Sequence, residues 1–194
     1  MKELPKYNVS TYNPSSWAYN ERSDFTRRIP TGLTDKQMHR DSKIALQIIR
    51  AAGGGTDAGA EHQVLDIFFR KAKLLSNPRY WELMRTVWVA AGSTETAQLF
   101  RMMMKSNRPC KSWFMTPEDA SALDAMTFPL TVWRAYDAVR YPDIDPGISW
   151  TLDRAWCENY ARSQGRVIKQ RQVSREDIFA YISRRGEEEI IILD

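Results

Sequence analysis

The period of the apolar residues changes once along this 194-residue chain, near position 127, and that change limits what the chain can fold into. Before it, apolar residues recur three and four apart, the spacing of one face of a helix. After it come short runs rich in Val, Ile, Thr and Trp, the residues of strands. A helical stretch followed by a strand-rich stretch points to an α+β fold rather than alternating β-α-β units. Hydrophobic residues make up 43% of the chain, enough for an ordinary core.

The helical half resolves into five segments. Thr34 is placed to cap a helix reaching about Ala52, with Met38, Ile44, Ile48 and Ile49 near one face. Gly53-Gly54-Gly55 then reads as a turn, because it lacks the Gly-Lys-Ser/Thr ending of a phosphate loop and follows a helix. A second helix spans Asp57 to Leu75. A third begins at Asn77-Pro78 and carries Trp81, Met84, Val87 and Trp88. A fourth runs from Ser93 to Met104, with its Met102-Met103-Met104 cluster read as core. Thr116-Pro117-Glu118-Asp119 combines a cap, a first-turn proline and acids at the positive end of a fifth helix, expected to reach about Met126.

Strands are expected at Leu130–Tyr136, Ile148–Thr151, Val167–Val173, Ile178–Ile182 and Glu188–Leu193, with a helix over Leu152–Ser163 that ends before Gly165. Residues 1–30 show no period but are rich in aromatics, so they read as an arm packed on the rest. The division is therefore an arm (1–30), a helical region (31–126) and a strand-rich core (127–194).

Three short pieces of the second half carry chemistry. Thr131-Val132-Trp133-Arg134 brings an arginine along a strand, where its planar fork could hold a phosphate; alone, an ordinary ion pair explains it as well. In Gly147-Ile148-Ser149-Trp150-Thr151, alternation sends Ser149 and Thr151 to one face and makes Trp150 a core anchor; Thr151 could also cap the next helix. In Glu187-Glu188-Glu189-Ile190-Ile191-Ile192, alternation puts Glu187 and Glu189 together at the mouth of a buried strand. Two carboxylates so placed suit glycosidic-bond chemistry, in which one stabilises an oxocarbenium-like sugar and the other serves the incoming group. Alone, the same glutamates guard a sheet edge.

In order and character these pieces resemble the arginine–serine–glutamate class of mono-ADP-ribosyltransferases, most closely its small bacteriophage-encoded members. Those also carry a Gly-Ile-Ser-Trp-Thr segment, a Tyr-Ala or Phe-Ala helix (here Tyr160-Ala161) and a terminal Arg-x-Glu-x-Glu strand. The resemblance covers roughly Leu130 to Leu193. It departs from the pattern in having Ala135 where a glycine usually follows the arginine, and in a core smaller than usual, which helices of the first half would complete.

The resemblance implies a split β-sandwich with NAD bound as substrate between two small sheets. Arg134 would hold phosphate or ribose oxygens, Ser149 would orient Glu189, and Thr151 would support the strand. Glu189 would stabilise the ribosyl cation, and Glu187 would position or deprotonate an acceptor, arginine in a host protein. The competing implication is an inactive module of the same fold, binding a protein or nucleic acid through Arg162, Arg166, Lys169, Arg171 and Arg175.

Other classes find less support. Cys110, Cys157, His39 and His62 show no metal-ligand spacing, so no metal is expected. A net charge of +4 favours acidic partners such as nucleotides or nucleic acid only weakly. Met1–Ser10 has charges and Pro5 but no apolar centre, and no run is long enough to span a bilayer, so no membrane association and a cytoplasmic setting are expected.

Overall fold

A computed structural model describes residues 30–52, 58–143, 145, 147–184 and 187–194, without side-chain detail at 58–61, 184 and 187. The expected arm, the Gly53–Gly55 turn and the side chain of Glu187 lie outside the described residues.

The described residues form six α-helices and five strands: α1 (Asp35–Ala52), α2 (Ala58–Lys71), α3 (Asn77–Ala91), α4 (Ala97–Met104), α5 (Pro117–Asp124), β1 (Leu130–Tyr136), β2 (Ser149–Thr151), α6 (Arg154–Gln164), β3 (Val167–Val173), β4 (Ile178–Arg184) and β5 (Glu187–Ile192). Short 3-10 turns follow α2 at Ala72–Leu74 and precede α5 at Lys111–Phe114. The class is α+β.

Helix α3 is the axis of the helical half. Every residue from Tyr80 to Trp88 is buried, including Glu82, Arg85 and Thr86, as befits a helix surrounded on all sides. Its start is held from α1. The buried Asp41 accepts from the Ser76 amide at 3.1 Å and the Ser76 hydroxyl at 2.5 Å, so a neighbouring carboxylate serves the positive end of the helix. Arg108 ties down the preceding turn by donating to the carbonyls of Ala72 and Leu75 and to Asn77, while stacking 4.0 Å over Tyr80.

The strands form one antiparallel sheet of order β3-β1-β2-β5-β4. One apolar cluster joins α1 and α3 residues such as Ile48, Leu83 and Trp88 to Ile148, Ala180, Ile182 and Ile191 of the strand half. A second lies on the other face, where Leu123 of α5 meets Val132, Tyr181, Ile190 and Ile192. The helical and strand halves therefore share a core.

Asp119 joins the two halves with polar bonds. It is 1% exposed and accepts from Arg85 at 3.0 Å and from the Ser183 amide and hydroxyl at 3.0 and 2.7 Å. Thr116 caps α5 by accepting from the Asp119 amide.

The two small sheets implied by the resemblance appear here as one sheet with a weak seam. Strands β1 and β3 pair over seven positions, Leu130↔Val173 to Tyr136↔Val167, whereas β1 and β2 meet only at Trp133↔Thr151. Helix α6 also starts later than Leu152, because the Leu152 amide still donates to Glu188 of the sheet. Asp153 is its cap, accepting from Trp156, and Thr151 accepts from the Asp153 amide instead of capping the helix itself. Helix α4 starts at Ala97, because Ser93 and Thr96 close a tight turn on each other and on the Ala91 carbonyl.

Candidate functional site

A cleft of about 400 Å³ opens over the seam. Its walls are the end of α3, the Gly92–Glu95 turn, β1, β2 and the side of α6, with Glu189 of β5 at its base. That volume lies within the range of small-molecule sites, about 300–1,000 Å³.

The register explains how the residues reach it. Thr151 faces both Trp133 and Glu189 across the sheet, so these three share a face, and Ser149, two residues from Thr151, shares it too. The Ser149 hydroxyl lies 2.5 Å from Glu189 Oε1 and donates to it. Trp88 Nε1 donates to the same oxygen at 3.1 Å. Two donors from different elements thus fix one carboxylate oxygen, and the Trp88 ring is in turn held edge-on by Phe100, centroids 4.9 Å apart. Trp150 takes the opposite face among the second core cluster, with Arg171 5.2 Å above its ring. Glu188 also faces away from Glu189 and accepts from the Tyr181 hydroxyl at 3.4 Å. Burial first, then Glu188, raises the Tyr181 phenol above its ordinary pKa.

Arg134 lines the cleft with its guanidinium bonded to groups of the protein itself. Alternation puts its Cα on the face away from Trp133. Its side chain reaches the cleft because β1 and β2 separate beyond Trp133↔Thr151. Ile148 and Leu152 make their backbone bonds to β5, which turns the Ser149 carbonyl toward β1. Beyond Trp133↔Thr151 no further β1–β2 pair is formed, and Arg134 Nη1 donates to that carbonyl at 2.6 Å. Nε donates to both oxygens of Asp145, at 3.1 and 2.9 Å, and Nη2 to the Thr94 hydroxyl at 3.1 Å. The pair is buried, with side chains 9% and 6% exposed. Arg134 therefore stands in for a missing rung of the ladder and ties the seam to the helical half. Gly147 makes room for it: a Cβ there would lie 1.6 Å from Nη2.

The rest of the cleft mixes aromatic and cationic groups. Trp156 and Tyr160, one helical turn apart on α6, stack with centroids 5.2 Å apart and planes 15° from parallel. Arg140 pairs with Glu95 at 2.5 Å between exposed side chains. Glu95 is held below the ordinary carboxylate range by its own backbone amide, with help from the Ser93 hydroxyl, Arg140 and Arg166. Burial pushes the Cys157 thiol up, against the opposing pull of Arg134. Among the described residues no cluster of His, Cys, Asp or Glu could hold a metal, and no helix is long and apolar enough to cross a membrane.

The structure thus brings Arg134, Ser149, Thr151 and Glu189 to one cleft, while Glu187 begins β5 opposite Arg184 with its side chain outside the described residues. Three site residues were not singled out from the sequence: Trp88, Thr94 and Asp145. Trp88 was read only as an apolar position of its helix. Asp145 sits in a loop where no period operates.

No family model, curated protein or solved structure matches the chain.

Proposed function

We propose that the protein is a mono-ADP-ribosyltransferase that takes ADP-ribose from NAD and passes it to a protein acceptor, an arginine of a host protein if it is phage-borne. The observation that carries the reading is the Ser149–Glu189 contact at 2.5 Å, one strand away from Arg134 and at the base of a nucleotide-sized cleft.

The chemistry asked of Glu189 fits its setting. The bond between nicotinamide and the anomeric carbon breaks, and its electron pair leaves with nicotinamide, which departs neutral. The ribosyl carbon becomes cationic, and a carboxylate oriented by Ser149 and Trp88 stabilises it without reorganising. The acceptor nitrogen then bonds that carbon and releases a proton. By the resemblance, Glu187 would position the acceptor or receive that proton, and Thr151 would support β2. Arg134 would act by holding the seam on which Ser149 stands.

Incubation with labelled NAD and a cell lysate tests the reading, with Glu189→Gln as control. A labelled protein band absent from the control is expected. Intact NAD and no label would sink the proposal.

A binding module without catalysis is the second reading. It is favoured by the engagement of Arg134 with Asp145, which leaves less of the guanidinium for NAD. A nucleic-acid face is not what supports it. Arg171 pairs with Asp194, Arg175 with Asp124 at 3.4 Å, and Lys169 lies 4.0 Å from the Tyr136 ring centre.

A further inference from the structure

One cationic side chain of the cleft, Arg166, has no ion-pair partner among the described residues. Arg166 follows Gly165, whose left-handed backbone (φ 61°) ends α6, and its amide donates to the Ala161 carbonyl at 2.8 Å. The side chain thus leaves from a fixed turn. It is half-buried and lies against Tyr160, the guanidinium carbon 4.9 Å from the ring centre. Tyr160 in turn stacks with Trp156, which keeps 39% of its surface exposed. All three line the same cleft as Ser149 and Glu189.

Among the described residues, no carboxylate comes within ion-pair distance of the Arg166 guanidinium and no acceptor receives a hydrogen bond from it. Glu95 senses its charge but pairs with Arg140. Arg134, by contrast, is bonded to Asp145, Ser149 and Thr94. A guanidinium partly withdrawn from water, set over an aromatic ring with its donors unfilled among the described residues, is prepared for an anion from outside. Its planar fork matches the oxygens of a phosphate. A partly exposed indole one helical turn before Tyr160 suits a flat ring.

We infer that Arg166, rather than Arg134, is the diphosphate-holding residue of this cleft, and that the ring attached to that diphosphate lies against Trp156. The inference rests on the reading of the ligand as NAD and assigns the part of the cleft that would take its ADP moiety.

Calorimetric titration with two probes, ADP-ribose and adenosine, tests it on the full chain. Arg166→Gln is expected to weaken ADP-ribose binding roughly 10-fold or more, the loss of a charge-assisted bond. Adenosine binding should not change, Arg166→Lys should recover part of the loss, and Trp156→Ala should weaken both probes. Thermal melts of each variant show that the fold is intact. Equal ADP-ribose affinity in wild type and Arg166→Gln overturns the inference, as does absence of binding to wild type. Parallel loss of both probes in Arg166→Gln also overturns it, because Arg166 would then act only by supporting the aromatic stack. NAD consumption is followed in parallel. Consumption with an unchanged KM in Arg166→Gln removes this inference and leaves the transferase standing. ADP-ribose binding through Arg166 without consumption removes the transferase and leaves the anion site.

Discussion

Removing the carboxylate of Asp145 tests whether the seam is held as described. In Asp145→Ala the Arg134 guanidinium stays 9% exposed and keeps Ser149 and Thr94, but loses its charge partner. Breaking a buried ion pair from one side costs about 3–5 kcal/mol. For a chain of 194 residues, each kcal/mol lowers Tm by about 2–4 °C, so a fall of roughly 6–20 °C is expected. Arg134→Met should cost a similar amount, because it leaves the Asp145 carboxylate with the Gly147 amide at 3.0 Å and, as its remaining charge partner, Lys169, 4.0 Å away. The double variant has no buried charge left to compensate; its remaining cost is the unmet Ser149 carbonyl, about 1–3 kcal/mol. Urea unfolding of all four proteins closes the cycle. A coupling of several kcal/mol is expected. Single-variant costs that add to within about 0.5 kcal/mol, the behaviour of independent sites, would refute the reasoning.

Three further outcomes can be measured on the same material. Gly147→Ala should destabilise by more than about 2 kcal/mol, because its methyl falls 1.6 Å from Arg134 Nη2; a melt within about 2 °C of wild type would mean the guanidinium is not seated there. Asp119→Ala takes the carboxylate from Arg85 and both acceptor bonds from Ser183, so unfolding free energy should fall by about 3 kcal/mol, and a neutral result would detach α5 from the sheet. The folded protein holds the Cys157 thiol neutral by burial, so its folded pKa lies above its unfolded one. That contribution is complete below the unfolded thiol value, about 8.5, and is lost as pH rises beyond it. Stability should therefore decline at alkaline pH less steeply in Cys157→Ala than in wild type, and a thiol reagent should reach the exposed Cys110 first.

The element order was legible because each segment announces itself locally. Thr116-Pro117 marks a helix start, Gly165 marks a helix end, and Ile190-Ile191-Ile192 can only be a covered strand. The ends of elements were less legible where tertiary bonds override local preference: Leu152 is held in the sheet by Glu188, and Ser93–Thr96 fold back on Ala91. The Ser149–Glu189 pairing was implied by the resemblance; strand alternation assigns each side chain to a face but does not set β2 beside β5. The placement of Arg134 was not legible. It depends on β1 and β2 parting after a single paired position, and no periodicity encodes a broken ladder.

Trp88 shows the same limit and leads to the last prediction. Every residue from Tyr80 to Trp88 is buried, so nothing in the spacing distinguishes a tryptophan that fills space from one whose N–H does chemistry. Only the path of α3 across the sheet puts Nε1 3.1 Å from Glu189, a hundred residues later in the chain. If the helical half merely supported the sheet, Trp88→Phe would cost stability and spare the rate. The geometry requires more. Phe preserves the edge contact with Phe100 but deletes the indole donor to the carboxylate oxygen. In the transferase reading, NAD consumption should fall roughly 10-fold in kcat with little change in KM, since one preorganised bond to the reacting carboxylate is lost. The stability cost should stay near 1 kcal/mol. Combining Trp88→Phe with Ser149→Ala should give a kcat loss different from the product of the single losses, because both donors act on one oxygen. Strict multiplication of the two effects, with kcat unchanged in Trp88→Phe alone, would return the helical half to a purely structural role.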